Sequence, residues 1–311
     1  MKPITRHEQK KAVEGWWNTD NIKKFDRQYD DYDVRVMRYQ NSRQEKVLQF
    51  VDELKLSIGS KVLEIGYGAG QTALKLSQRG FELHGIDVSE KLCHFAKKRV
   101  KEEHPSGNVN LKVGNIESGI DYKNDTFDLV VMVGILHYTY NDEECLKDVK
   151  QVLKPGGHLI IAQRKIYSLP QFTNVRNILR FLVYLILRDE YELFPSFKAI
   201  LCDSRLKIIF GRFKDSKIFN TKIMLKNHDI WKYKLKKRVY STGKLKAVCR
   251  KAGFIFLKSD GTCYGVTEEL KHHKLNLKVH TFLEKISKKW FMHCVTRLGS
   301  VTVILNKKRE L

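Results

Sequence analysis

From residue 61 onward the chain reads as short apolar runs separated by amphipathic stretches. Val62-Leu63-Glu64-Ile65 is one such run, and others fall at 81–86, 109–113, 129–133 and 158–162. Their length and β-branched character fit strands buried on both faces of a parallel sheet. The stretches between them carry apolar residues at helical spacing: 72–76, 90–103 and 142–153. A regular alternation of strand and helix predicts an α/β fold. A helix at 43–54 leads into the first strand at Lys61. After the fifth run the pattern breaks off and returns at 240–254 as a helix that Ser241 or Thr242 can cap. Two more strands follow, at 254–258 and 300–305. The interruptions at 164–239 and 261–298 read as insertions, the second with a helix at 278–291. Long connections with structure of their own are usually functional. Ahead of the first strand, residues 1–45 read as helical and rich in rings: Trp16, Trp17, Phe25, Tyr29, Tyr32 and Tyr39.

The first strand runs into Gly66, Gly68 and Gly70 on alternate residues, then into a helix, then into a second strand that ends at Asp87. A strand, a glycine turn, a helix and a strand ending in an acid have the form of a nucleoside-binding unit. The turn must leave the strand sharply and let a ligand lie against bare backbone. A carboxylate at Asp87 can hold both hydroxyls of a ribose. A dinucleotide fingerprint places a small residue where this chain has Gln71, and no Gly-x-x-x-x-Gly-Lys-Ser/Thr follows, which excludes a P-loop. Glu64, inside the strand, would repel a pyrophosphate and suits a ligand that carries a cation.

Four stretches then fall in an order that resembles the class I S-adenosylmethionine-dependent methyltransferases. Glu64-Ile65-Gly66-Tyr67-Gly68-Ala69-Gly70 resembles their first motif, and Gly85-Ile86-Asp87-Val88-Ser89 their acidic loop. The stretch from Phe127 through Gly134-Ile135-Leu136-His137-Tyr138 resembles the fourth-strand motif. Leu153-Lys154-Pro155-Gly156-Gly157-His158-Leu159 resembles the turn into strand five. The resemblance implies a Rossmann-like seven-stranded sheet in the order 3-2-1-4-5-7-6, last strand antiparallel, flanked by helices. It further implies a helical lid over residues 1–45, a cofactor-binding core at 46–163, an acceptor or lid insertion at 164–239, and a return to the core at 240–311 around the second insertion. S-adenosyl-L-methionine is the implied cofactor. Glu64, Gly66, Tyr67, Gly68, Gly70, Gln71, Asp87, Val88, Asn115, Ile116 and Val133 are the implied cofactor-binding residues. Asn115 stands where the family usually has an aspartate for the adenine amino group. The backbone around Val133 falls where relatives bind the methionine amino group.

Charge adds a second theme. The formal net charge is +23, and it is uneven: residues 1–163 carry +1 and residues 164–311 carry +22. Such asymmetry fits an anionic partner, namely nucleic acid, an acidic membrane surface or an anionic substrate, and equally a lysine-rich solvated surface. The run 178–187 is apolar nearly all round but far short of the ~20 residues that cross a bilayer. It reads as a buried lid helix, an apolar substrate wall or a membrane-surface anchor. The cluster 232–238 alternates lysines with rings and aliphatics. No secretory signal opens the chain. Six cysteines with no Cys-x-x-Cys pair read as reduced thiols of a cytoplasmic protein that is peripheral to a membrane at most.

Methyl transfer needs positioning and dryness more than dedicated catalytic groups. A neutral hydroxyl acceptor would gain from a general base. His137, just past strand four, is the candidate, with His228 behind it. Tyr29 or Tyr32 could place a ring beside a sulfonium; each is also readable as a core ring. The absence of Asp/Asn-Pro-Pro-Tyr after strand four disfavours adenine or glutamine amino groups as acceptors, and the absence of Pro-Cys disfavours a cysteine nucleophile. His272, His273 and His280 lack a carboxylate at ligand spacing, so no metal is expected. Three functions follow: methyl transfer to a small-molecule or lipid-like acceptor at oxygen, nitrogen or carbon; methylation of RNA held by the basic half; and a non-catalytic membrane or scaffold role.

Overall fold

The computed structural model describes residues 5–18, 34–164, 240, 242–262 and 300–308. Two helices come first, α1 (Arg6–Trp17) and α2 (Val34–Glu53). Then follow β1 (Lys61–Ile65), α3 (Gln71–Ser77), β2 (Glu82–Asp87), α4 (Glu90–Glu103), β3 (Val109–Val113), β4 (Phe127–Val133), α5 (Asp142–Val152) and β5 (Leu153–Arg164). The chain closes with α6 (Thr242–Lys251), β6 (Phe254–Thr262) and β7 (Ser300–Lys307). These seven strands form one sheet in the order β3-β2-β1-β4-β5-β7-β6. The first five pair in parallel, and β7 runs antiparallel to both β5 and β6. Strand order and direction are those the motifs imply.

Successive strand residues face opposite sides of the sheet, so near-continuous apolar strands build two cores. On one face Leu63, Ile65, Val130, Met132, Leu159 and Ile161 pack under α5 and α6. On the other, Val62, Leu83, Leu129, Val131 and Ile160 pack under Val47, Phe50 and Val51 of α2 and Ala73 and Leu76 of α3. Helix starts are set by side-chain caps. Ser89 Oγ accepts from Leu92 N–H at 3.3 Å to open α4. Asn141 Oδ1 accepts from Glu143 and Glu144 N–H at 3.0 and 3.3 Å to open α5.

Two local expectations change. The helix ahead of β1 begins at Val34, so a boundary at 45/46 falls inside one continuous helix. Val47, Phe50 and Val51 are fully buried in the sheet's core, which makes the second half of α2 part of the core itself. Pro155-Gly156-Gly157 is absorbed into β5, whose register with β4 jumps from Phe127↔Leu153 to Leu129↔His158. Close backbone packing requires glycine in this bulge: a Cβ on Gly157 would stand 2.8 Å from the Lys154 carbonyl oxygen. Among the described residues no helix is long and apolar enough to cross a membrane. Cys93, Cys145 and Cys249 are buried free thiols.

Because Leu63 is fully buried at the centre of one face, Leu63→Ala is expected to cost about 2–5 kcal/mol of stability. Equilibrium denaturation with urea checks this; a loss well under 1 kcal/mol would contradict the packing.

Candidate active site

β1 lies between β2 and β4, the point where the order of parallel strands reverses, and ligands of such sheets bind beyond the carboxyl ends there. The chain leaves β1 through Gly66, Gly68 and Gly70. Gly68 has φ +55°, and a Cβ placed on it would meet nothing within 4 Å among the described residues, so the turn is open toward them. Gly70 caps α3 at φ +85°, and a Cβ there would stand 2.9 Å from the Ala96 methyl, which brings α3 and α4 together. The glycine turn is open on its ligand side and tight on its packing side.

Asp87 ends β2 and is nearly buried. Its Oδ2 accepts from Gly68 N–H at 2.9 Å and its Oδ1 from Ser89 N–H at 2.9 Å. Burial raises its pKa, against the opposing pull of the Ser89, Gly68 and Val88 backbone N–H groups. A carboxylate offers about four lone-pair sites, so these donors leave capacity to accept from a ligand hydroxyl. Glu64, on the neighbouring strand, is 2% exposed. Thr72 donates to its carboxylate, yet burial and the Asp87 charge push its pKa to about 8. Thr72 Oγ1 in turn accepts from Gln44 Nε2 at 3.0 Å, tying α2 to the site. Among the described residues Glu64 Oε2 is buried without a hydrogen-bond partner, as is Gln71 Nε2 at the start of α3. A buried acceptor and a buried donor left unsatisfied beside an open glycine turn fit a polar, cationic ligand.

The other residues of the expected site gather on the same edge. Val133 pairs with Ala162 of β5 but extends past the β1 ladder, which ends at Ile65↔Met132. Val88 packs with Ala12, Val13, Trp16, Trp17 and Tyr138. Asn115 Oδ1 accepts from Glu117 N–H at 3.0 Å and its Nδ2 donates to Glu14 Oε1 at 3.0 Å. Its oxygen therefore caps the short 3-10 turn Ile116–Ser118 and retains one lone pair. Ile116 is half-buried against the core. Tyr67 departs from the expected role. Its ring is buried in the core and its hydroxyl donates to the Lys112 carbonyl at 3.0 Å, because Gly85 opposite leaves room for it. Burial raises its pKa far above the ordinary tyrosine range, so only its backbone belongs to the turn. His137 lies in the 3-10 turn Leu136–Tyr138 after β4, beside the buried Gln163 at the end of β5. Tyr32, Tyr29, His228, Ser241, the histidines at 272, 273 and 280, and both insertions lie outside the described residues.

Three contributors carried no signal in the motifs. α1 lies over the edge: Gln9 Nε2 donates to the Tyr138 carbonyl at 2.7 Å, Asn18 Nδ2 to the Val88 carbonyl at 3.3 Å, and Glu14 takes the Asn115 amide. Trp17 packs against Ala69 of the glycine turn and meets Tyr138 edge-on at 5.7 Å. Arg43 of α2 brings its guanidinium to the end of β4, where a Cβ on Gly134 would lie 3.4 Å from Nη1. Gln163 is the third. Among the described residues no group of three His, Cys, Asp or Glu is placed to hold a metal ion.

Comparison with known proteins agrees with this geometry. A sheet with a glycine turn after β1 and an acid after β2 defines a Rossmann-like nucleoside-binding domain. Residues 63–161 match the family model described as "Methyltransferase domain". The chain is 26% identical over 152 residues to the ubiquinone/menaquinone biosynthesis C-methyltransferase of Geotalea daltonii, covering 48% of this chain and 63% of that one. It is 29% identical over 110 residues to the demethylmenaquinone methyltransferase of Tropheryma whipplei strain Twist, covering 35% and 44%. The chain thus spans about half the length of the curated relatives it matches. An S-adenosylmethionine-dependent methyltransferase structure from Methanosarcina mazei shares the fold, with TM-score 0.52, 16% identity, and 84% and 98% of the two chains covered. Residues 63–161 thus match a methyltransferase domain, and the motifs and fold support the class I S-adenosylmethionine-dependent kind.

Glu64 gives the site a pH signature. Its folded pKa of about 8 lies above the ordinary 4.5, so the folded state binds a proton that the unfolded state has lost. Stability is therefore expected to fall as pH rises from about 4.5 to about 8 and to level off above that. Denaturation midpoints across this window test it, and Glu64→Gln should flatten the slope. An unchanged slope in that variant would assign the titration elsewhere.

Proposed function

We propose that this protein transfers a methyl group from S-adenosylmethionine to a small-molecule or lipid-like acceptor by in-line displacement. One observation carries the reading: a nearly buried carboxylate, Asp87, is braced against the Gly68 backbone beside a second buried carboxylate, Glu64, that has an unpartnered oxygen. When bound, the cofactor supplies a methyl group on a positively charged sulfur, already activated for displacement. Asp87 would hold the ribose hydroxyls with the lone pairs its backbone donors leave over. Glu64 would meet the cationic part of the ligand, and a positive charge there favours its ionised form. Asn115 and Ile116 would bound the base, and the backbone after Val133 the amino-acid end. α1, hydrogen-bonded to three positions on this edge, would exclude water from the reacting atoms.

The names of the matched relatives support an acceptor of the quinone kind, methylated at carbon. An apolar acceptor also suits the apolar run 178–187.

Isothermal calorimetry should detect saturable S-adenosylmethionine binding, weakened about 10- to 100-fold in Asp87→Ala by loss of charge-assisted hydrogen bonds. Equal affinity in a variant that remains folded by circular dichroism would refute the site. Binding at neutral pH should also release a proton from Glu64, seen as a dependence of the measured heat on buffer ionisation enthalpy and lost in Glu64→Gln.

A further inference from the structure

Helix α4 meets the glycine turn along one stripe. Leu92, Ala96, Arg99 and Glu103 follow one another at intervals of four, three and four residues, which puts them on a single face of the helix. Leu92 is buried against Ala69 of the turn. Ala96 approaches Gly70 so closely that a Cβ on the glycine would stand 2.9 Å from its methyl. Arg99 completes the stripe: its Nη1 donates to the Ala69 carbonyl at 2.6 Å. The Arg99 side chain is only 12% exposed, and Glu103 faces its Nε at 3.5 Å and so orients the guanidinium. In the sequence Arg99 is one of four basic residues in the five positions 97–101. Its neighbours Lys97 and Lys98 are exposed, and only the inward stripe sets Arg99 apart.

A hydrogen bond from a guanidinium to a carbonyl is charge-assisted and about twice as strong as a neutral one. Here it acts on the Ala69–Gly70 peptide, whose other end is also held, because Gly70 N–H donates to the Tyr67 carbonyl at 2.9 Å. Gripped at both ends, that peptide keeps its plane, and Gly70 keeps its φ of +85°. The residue before Ala69 is Gly68, whose N–H is the donor to Asp87 Oδ2 at 2.9 Å. A side chain of α4 therefore governs the backbone on which Asp87 is braced.

We infer that Arg99 is a positioning residue for cofactor binding: through the Ala69–Gly70 peptide it fixes the glycine turn in the shape that presents Gly68 and Asp87 to S-adenosylmethionine. The inference rests on the cofactor reading above, and it requires no contact between Arg99 and the cofactor. Without the guanidinium, the glycines on either side of Ala69 would let the peptide sample several conformers, since glycine accepts φ of either sign. Only a fraction of the molecules would then hold a binding-competent turn, and the apparent affinity falls by that fraction. A lysine restores the charge but brings a point-like donor in place of the planar fork that meets Ala69 and Glu103 together.

The test compares calorimetric S-adenosylmethionine binding by the full chain in Arg99→Met, which keeps an apolar stem and removes the donors, in Arg99→Lys, and in Lys98→Met, a control at an exposed position of the same helix. Lys98→Met should bind as the wild type does. Arg99→Met should bind about tenfold more weakly and Arg99→Lys about threefold. Amide hydrogen exchange followed by NMR supplies a readout that a merely structural role would not move. Gly68 and Gly70 should exchange about tenfold faster in Arg99→Met, while the amides of Leu63 in β1 and Leu83 in β2 stay as protected as in the wild type. Wild-type affinity in a folded Arg99→Met, or wild-type exchange at the two glycines, would overturn the inference. So would weaker binding with exchange raised equally throughout β1 and β2, the mark of a general loss of stability. Should Arg99→Met fail to fold, Arg99→Lys carries the same comparisons. A wild type that binds no S-adenosylmethionine would overturn the cofactor reading itself, and the exchange rates would still report whether Arg99 holds the turn.

Discussion

Asp87 accepts from the Gly68 backbone at 2.9 Å, and this bond joins the two turns that make the site. It links the loop after β1 to the end of β2, so the open glycine and the carboxylate that faces it cannot move independently. The arrangement is expensive for the fold. Two carboxylates lie buried on adjacent strands, and the Asp87 charge disfavours ionisation of Glu64. Asp87 is compensated by backbone donors, whereas Glu64 has Thr72 and an oxygen left over. A sheet selected for stability alone would have an apolar residue at that position of β1, among Val62, Leu63 and Ile65. A buried polar atom left unsatisfied at the mouth of the glycine turn, among the described residues, fits a site for a charged ligand.

The rest of the molecule holds that constraint in place. The two apolar faces of the sheet fix where β1, β2 and β4 end, and thereby where their turns converge. α2 anchors one face with Val47, Phe50 and Val51 and extends toward the site with Gln44 and Arg43. The surface ion pairs, such as Arg79–Asp52 and Lys147–Glu143, lie in solvent and contribute little. The polar contacts that matter to function are those between α1 and the sheet edge. They join Glu14 to Asn115 and Gln9 to the Tyr138 carbonyl, and so put a helix remote in sequence over the ends of β2 and β4.

The same edge shows how one amide can join two strand ends. His137 is visible in the sequence as a histidine just past the fourth strand. Gln163, at the end of β5, is placed to accept from two backbone N–H groups of the very turn that carries the histidine, and so ties that turn to the neighbouring strand.

Local pattern settled a great deal. The periodicity of apolar residues located every described strand, most within a residue or two where both faces are buried, because such strands are continuous apolar runs with sharp ends. The spacing of Gly66, Gly68 and Gly70 and the acid at Asp87 marked the turn, since only glycine accepts the backbone conformation and the close approach required there. Boundaries set by docking were less legible: the start of α2 at Val34, and the bulge that takes Pro155-Gly156-Gly157 into β5. Tertiary structure alone decided that the Tyr67 ring belongs to the core, that Arg43 and Glu14 reach the site, and that Gln163 meets His137. Glu14 and Asn115 are 101 positions apart and Gln163 and His137 are 26. No local period relates such pairs; they meet only because the sheet brings the ends of its strands, and the helices packed on it, to one edge.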